Sequence, residues 1–399
     1  MAEPLVYNPF AYEMHDDPFP TYARLREEAP AYHNPDVGFW ALSRFDDVLN
    51  AYRDWETYTS TEGIALEEVG TSSAPSMIGM DPPDQTKLRK LVVRAFTPQR
   101  VGALEPRVRG LANRFLDSFI EEGECDLIAR FAALLPSDVI STLLGAPPED
   151  HSDLRIWTET LMHREDGVAK PPPEADVAAQ NLLGRFGELI REKRKRPGDD
   201  LISGLVEAEL EGRRLSDVEI LGFCFLLISG GNETTEKLIA NTVHQLSRHP
   251  EQREKLIADP KLIPAAVEES LRFRSPTQYM VRATTRDVSI HGKTIPRGEK
   301  VLLSIGAANH DPRRFEAPER FDIFRVMERH LAFGFGVHFC LGARLARLEA
   351  RVALEEIHER LPDYEVDEAG LSVVHAGNVA GLATLPIRFT PSRPMNAAP

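Results

Sequence analysis

Apolar residues recur at three- and four-residue intervals along most of the chain, the spacing that places them on one face of an α-helix. The pattern predicts helices over 21–29, 84–96, 98–122, 128–144, 175–194, 216–248, 251–258 and 263–272. Ser216 with Glu219 forms a capping box at the head of the longest, and Pro-containing dipeptides punctuate the others. Runs with strand character are fewer and shorter: 37–42, 281–285, 288–295, 300–304 and 382–389. They read as small hairpins rather than one large sheet. Strands this sparse exclude a doubly wound nucleotide-binding fold, which alternates strand and helix throughout. Nothing repeats, and no low-complexity linker divides the chain. Residues 1–399 are therefore expected to form a single, mainly α domain with small β-sheets.

Composition narrows the class. The 399 residues are 42% hydrophobic and 27% charged, as in ordinary globular proteins, and the length suffices for a large core. A formal net charge of −15 argues against nucleic acid as the main partner. The one dense basic run, 191–196, precedes Pro197-Gly198 and reads as a solvated helix end. The first nine residues lack the basic and apolar regions of a targeting segment. The longest nearly apolar run, 220–228, is far shorter than the roughly 20 residues that span a bilayer. Cys125, Cys224 and Cys340 lie far apart, with neither disulfide nor zinc spacing. A soluble protein of the reducing cytoplasm, without membrane anchor, is the expectation.

Chemistry concentrates at Cys340. The stretch Phe333-Gly334-Phe335-Gly336-Val337-His338-Phe339-Cys340-Leu341-Gly342 sets one cysteine in a glycine- and aromatic-rich turn, and strong helix formers follow from Ala343 to Ala350. A sulfur just before a helix N-terminus faces free backbone N–H groups and the positive end of the helix dipole, which favour thiolate. Gly336 and Gly342 are expected to leave room for a flat ligand, with Phe333 packed near its edge. Such a thiolate suits nucleophilic attack or axial ligation of haem iron. A buried structural cysteine is the plain alternative.

A second segment, Leu226-Leu227-Ile228-Ser229-Gly230-Gly231-Asn232-Glu233-Thr234-Thr235, falls inside the longest helix. Each mid-helix glycine costs about 1 kcal/mol relative to alanine. The pair implies close approach of a ligand, a local kink, or tight helix packing. Glu233 and Thr234 follow at once, an acid beside an alcohol suited to proton delivery.

The pattern F-x-x-G-x-x-x-C-x-G over 333–342 resembles the haem-binding loop of the cytochrome P-450 family. The 230–234 segment is similar to that family's distal-helix motif. Glu269-Ser270-Leu271-Arg272 and Pro318-Glu319-Arg320-Phe321 resemble its two other conserved elements. The resemblance spans the chain and implies a soluble, bacterial-type haem-thiolate monooxygenase. It implies non-covalent haem b held axially by Cys340, with Glu233 and Thr234 delivering protons. A structural network of Glu269, Arg272 and Arg320 is implied behind the haem.

Arg89, Arg282 and His338 are implied as partners of the haem propionates. Gln85 stands where the family usually has histidine, so it brings an amide and no charge. Implied partners are O2, an apolar small molecule (steroid, terpenoid, fatty acid, aromatic or polyketide) and a ferredoxin served by an NAD(P)H-dependent reductase. The ferredoxin would dock on the face carrying Arg329, His330, Arg344 and Arg347, and the enzyme would act as a monomer. By family position Ile78, Leu226, Ser229, Gly230, Met280, Val281 and Val379 would line the pocket, and loops 59–80 and 163–174 would cover it. A peroxide-driven haem enzyme, a haem-based sensor and a haem-free cysteine hydrolase or interaction protein are the alternatives.

Overall fold

The computed structural model describes residues 4–66 and 76–395. Helices dominate it, as expected. Pro173–Lys195 packs on His151–Met162 and Asp217–Gly231, while Ala343–Arg360 packs on Glu105–Asp117, Glu233–Arg248 and Ile263–Phe273. One large apolar cluster runs from Met77 to Phe389 through these helices. Among the described residues no helix is long and apolar enough to cross a membrane.

Several predicted helices are divided, each for a local reason. The span 216–248 breaks at Asn232, whose φ of −88° and ψ of −78° separate Asp217–Gly231 from Glu233–Arg248. The capping box at Ser216 and Glu219 is present. The span 128–144 opens with a wider turn in which Ala133 N–H reaches the Ile128 carbonyl at 3.0 Å. Pro136 has no N–H for the Ala132 carbonyl, so regular α-helix cannot extend back through that point. The span 98–122 separates into Pro98–Gly102 and Glu105–Asp117.

Besides the short Tyr12–Asp16 and Ile305–Ala308, three longer helices were not predicted. Phe45–Arg53 is capped from outside, its Phe45 N–H bonded to Asp311 Oδ2 at 3.0 Å. His151–Met162 and Leu201–Glu207 begin soon after Pro147-Pro148 and Pro197-Gly198, turn signals that masked their short apolar stripes.

The strands are less local than expected. Five of them form one sheet in the order Ala31–Asn34, Phe39–Leu42, Lys300–Ser304, Tyr279–Thr284, Tyr58–Thr59. Phe39–Leu42 and Lys300–Ser304 pair in parallel, with Val301 opposite Trp40. Only Val288–Ile290 with Lys293–Ile295 makes the small hairpin that 288–295 suggested. The span 382–389 contributes Leu382–Thr384 and Pro386–Arg388 to different sheets.

Candidate active site around Cys340

The loop before helix Ala343–Arg360 is closed by Cys340 N–H donating to the Phe333 carbonyl at 2.9 Å and Gly334 N–H to the Leu331 carbonyl at 2.8 Å. Gly334 and Gly336 have φ of +65° and +69°, which L side chains rarely adopt. A Cβ at Gly336 would stand 2.8 Å from the Tyr52 carbonyl. The glycine thus lets helix Phe45–Arg53 lie against the loop, which corrects the expectation that it makes room for a ligand. At Gly342 the backbone is open, since a Cβ would meet only Cys340 Sγ, at 4.0 Å. Phe333 carries the Arg347 guanidinium 4.5 Å above its ring and packs edge-on to Phe339 at 6.4 Å.

Burial pushes the Cys340 thiol up, and this outweighs the backbone N–H groups of Gly342 and Ala343 and the charges of Arg89 and Arg347 that pull it down. The helix N-terminus alone therefore does not make the thiolate that its position suggested. A coordinated cation would, since metal binding deprotonates a thiol outright.

Four predicted cofactor residues gather round the loop. Gln85 is buried, and its Nε2 donates to the Val337 carbonyl at 2.7 Å. Arg89 Nη2 donates to the Phe339 carbonyl at 2.5 Å. Arg282, only 3% exposed, donates to its neighbour Val281's carbonyl and lies 5.8 Å from the Tyr52 ring. No carboxylate among the described residues hydrogen-bonds the half-buried Arg89 or the buried Arg282, an unusual state for a guanidinium buried as deeply as the latter. His338 Nε2 lies 3.1 Å from Ser60 Oγ. Burial and then Arg282 push its imidazole down to about 4, so it is a neutral hydrogen-bonding group rather than the basic one expected. No local motif marks Ser60 or Asp81, the latter accepting from Ser60 N–H at 3.0 Å and from Thr59 Oγ1.

The distal segment has a solvent-open face inside an otherwise buried helix. Gly230 is exposed, with nothing within 4 Å of its Cβ position, and Thr234 is half-buried one turn on. Thr234 Oγ1 donates to the Gly230 carbonyl at 2.8 Å. Glu233 points elsewhere: it is 3% exposed, and its Oε2 has no partner. Burial pushes its carboxyl up to about 8, against the pull of Lys237.

Behind the loop, Arg272 is fully buried and pairs with both oxygens of Glu269, at 2.7 and 2.8 Å, while also donating to the carbonyls of Asn309, Pro318 and Arg320. Arg320 supplies only that carbonyl, and its side chain is exposed, which corrects the expected three-charge network. The third charge is Arg325, whose Nε reaches Glu269 Oε1 at 3.2 Å. The basic surface also shrinks, because Arg347 and His330 both pair with Glu268. Although burial pushes Glu268 up, Arg347 and His330 hold it down to about 2. Of that patch Arg344 is exposed, and Arg329 lies 4.0 Å from Glu328.

Comparison with known proteins decides the lineage. The cytochrome P450 family profile matches residues 175–361. The protein named cytochrome P450 123 of Mycobacterium tuberculosis is 45% identical over 388 residues, covering 96% of each chain. A vitamin D(3) 25-hydroxylase of Pseudonocardia autotrophica is 40% identical over 94% of each. The chain belongs to the cytochrome P450 family. Its backbone follows that of the solved CYP109E1 from Bacillus megaterium in complex with testosterone, with a TM-score of 0.89 at 35% identity over 95% of this chain and 99% of that one.

The residues present fit the haem that P450 membership implies. A half-buried sulfur has an open flank at Gly342, and the half-buried Arg89 and buried Arg282, with no carboxylate hydrogen-bonded to either among the described residues, match the two acids that haem carries. Of the expected pocket residues, Ile78 lies in the turn Met77–Gly79 packed on helix Asp217–Gly231, which carries Leu226, Ser229 and Gly230. Met280 is half-buried, its sulfur 3.6 Å from Asn378 Nδ2. Val281 belongs instead to the buried cluster of Tyr7, Tyr22 and Leu302, because alternate residues of a strand face opposite sides. Val379 is buried and pairs with Thr277.

The first expected lid, 59–80, lies partly outside the described residues, at 67–75. The second, 163–174, is tied down at its start. Arg164 N–H donates to the His375 carbonyl at 3.0 Å, Gly167 N–H to the Phe10 carbonyl at 2.9 Å, and Tyr12 N–H to Asp166 Oδ1 at 2.9 Å.

Proposed function

We propose that this P450 is a haem-thiolate monooxygenase that hydroxylates or epoxidises an apolar small molecule, using O2 and two electrons from a ferredoxin with its NAD(P)H-dependent reductase. The observation that carries the reading is the Cys340 sulfur at a helix N-terminus, beside the half-buried Arg89 and the buried Arg282, neither of which hydrogen-bonds a carboxylate among the described residues. Haem b, when bound, supplies the chemistry of O2 activation, and a thiolate ligand favours O–O cleavage.

The chain's own residues do the rest. Cys340 would provide the thiolate ligand. Arg89 and Arg282 would neutralise the propionates, and His338 would offer a neutral imidazole to one of them. Gln85, bonded to Val337, braces the loop from the position where charge is missing. Phe333 fixes the loop's first turn through Arg347 and Phe339.

Thr234 presents its hydroxyl oxygen on the open helix face, with its proton committed to the Gly230 carbonyl. That leaves lone pairs free to accept a hydrogen bond. Glu233, a neutral acid near pH 7 through burial, has a proton to give. This acid–alcohol pair argues against a sensor, which has no proton to deliver.

Apolar residues Leu226, Ile78 and Met280 suit a substrate of largely hydrocarbon surface. The relative that hydroxylates vitamin D(3) and the neighbour holding testosterone put steroid-like skeletons first. The electron donor would dock on the surface of Arg329 and Arg344, in the cytoplasm. A library of steroids, terpenes, fatty acids, aromatic acids and macrolides, titrated into the haem-loaded protein, tests the reading. Substrates are expected to shift the iron spin state and to gain one oxygen atom from labelled dioxygen. Spin shifts without oxygen incorporation would favour a ligand-binding role.

A further inference from the structure

Two more charged side chains lie buried on the helix that carries Glu233. Glu236 is 3% exposed and Lys237 4%, and the Lys237 ammonium bonds directly to Glu236 Oε1. Glu233, Glu236 and Lys237 stand at i, i+3 and i+4, so all three share one helical face. The lysine is held there by shape. Its methylenes press on Gly381, where a Cβ would stand 2.8 Å from Lys237 Cβ and 2.9 Å from its Cγ and Cδ. Gly381 is fixed in turn by its carbonyl accepting Val374 N–H at 2.9 Å. Only glycine at 381 allows the stem to lie flat and return its ammonium to the helix.

Two carboxyls share one ammonium on this face, and Arg164, the other buried cation facing Glu233, pulls on it less than Lys237 does, so one acid is favoured to keep its proton. The Glu236 carboxylate takes the lysine contact, and Glu233, with Oε2 unpartnered, is the group left neutral.

We propose that Lys237 and Glu236 are positioning residues for the proton relay: with Glu233 they hold one transferable proton, and Lys237 stabilises the carboxylate left when Glu233 releases it. The proposal rests on the reading of Glu233 as the relay acid. The other charges facing Glu233 are Glu159 and Arg164, and those facing Glu236 are Glu159 and Arg155. Glu159 and Arg155 pair at 2.9 Å with their side chains 40% and 22% exposed, so they form the solvent side of the group. Burial is the largest influence on both acids, and Lys237 is the first charge opposing it in each.

The arrangement makes two substitutions act in opposite directions. Lys237→Met keeps an unbranched stem beside Gly381 but removes the cation, so Glu233 should hold its proton to higher pH. Glu236→Gln turns Lys237 wholly toward Glu233, which should then ionise at lower pH. The direct readout is infrared titration of the protonated Glu233 carboxyl stretch in the haem-loaded protein, with the band identified by its loss in Glu233→Gln. The midpoint is expected to move by about one pH unit or more, upward in the first variant and downward in the second, a tenfold change in proton binding each way. The pH profile of hydrogen peroxide released per NAD(P)H should move with it.

Midpoints that stay put, or that move the same way in both variants, would overturn the proposal. Should Lys237→Met fail to fold, Gly381→Ala displaces the stem and is expected to shift the midpoint upward in its place. Unchanged coupling in Glu233→Gln would sink the relay reading itself, while the band titration in Glu236→Gln would still decide the three-residue arrangement.

Discussion

At the scale of single residues, the burial of Glu233 sets two expectations. Its folded-state carboxyl stays protonated up to about 8, whereas an unfolded glutamate ionises at about 4.3. Between those values the folded protein binds a proton that the unfolded chain lacks, so stability falls as pH rises through the window. Glu233→Gln should remove that loss, and its stability gain over wild type, measured by chemical denaturation, should be larger at the alkaline end than at the acid end. Thr234→Ala should keep haem but lower product per electron pair by on the order of tenfold, with hydrogen peroxide appearing instead.

The acid and the alcohol were legible because they adjoin two glycines in a helix. The Glu269 network was only half legible. A three-residue spacing places Glu269 and Arg272 on one turn, but which arginine of the following loop reaches back depends on the path of that loop. Arg325 does so, and Arg320 offers a carbonyl. Arg325→Ala should therefore cost about 2 kcal/mol, as for a hydrogen bond between charged groups. Arg320→Ala should stay within about 0.5 kcal/mol in the same unfolding experiment.

At the scale of elements, glycines that look alike in sequence do different work. Gly336 combines positive φ with the Tyr52 carbonyl 2.8 Å from its Cβ position, so Gly336→Ala should destabilise by about 2 kcal/mol or more and loosen the cysteine loop. Gly230 has open space beside it and helical backbone. Gly230→Ala should thus raise thermal stability slightly, by up to about 1 kcal/mol, while weakening the binding of a bulky iron ligand such as phenylimidazole. Thermal melts and ligand titrations separate the two.

Periodicity revealed the longer helices but missed several shorter ones, Phe45–Arg53 among them, and did not always mark helix ends. The head of Phe45–Arg53 is capped by Asp311, 266 residues away, a partner that no local window contains. The break at Asn232 was signalled only as one of three meanings of adjacent glycines.

At the scale of the whole molecule, the helical character and the cysteine loop could be read from the sequence because both are local. The five-stranded sheet could not, since its parallel contact joins Phe39–Leu42 to Lys300–Ser304 across some 260 residues. Nor could the protonation of the sulfur. The local dipole favours thiolate, but the packing of the entire proximal side buries Cys340 and favours thiol. Charge balance at the site therefore depends on what the sulfur binds.

The most direct test is the carbon monoxide difference spectrum of the reduced, haem-loaded protein, recorded for wild type and Cys340→His. Wild type is expected to show the strongly red-shifted Soret band of a thiolate-bound haem, and the variant the shorter-wavelength band of a histidine-bound one. A wild-type spectrum of the histidine type, or a red-shifted band that survives in Cys340→His, would contradict the assignment of Cys340 as the iron ligand.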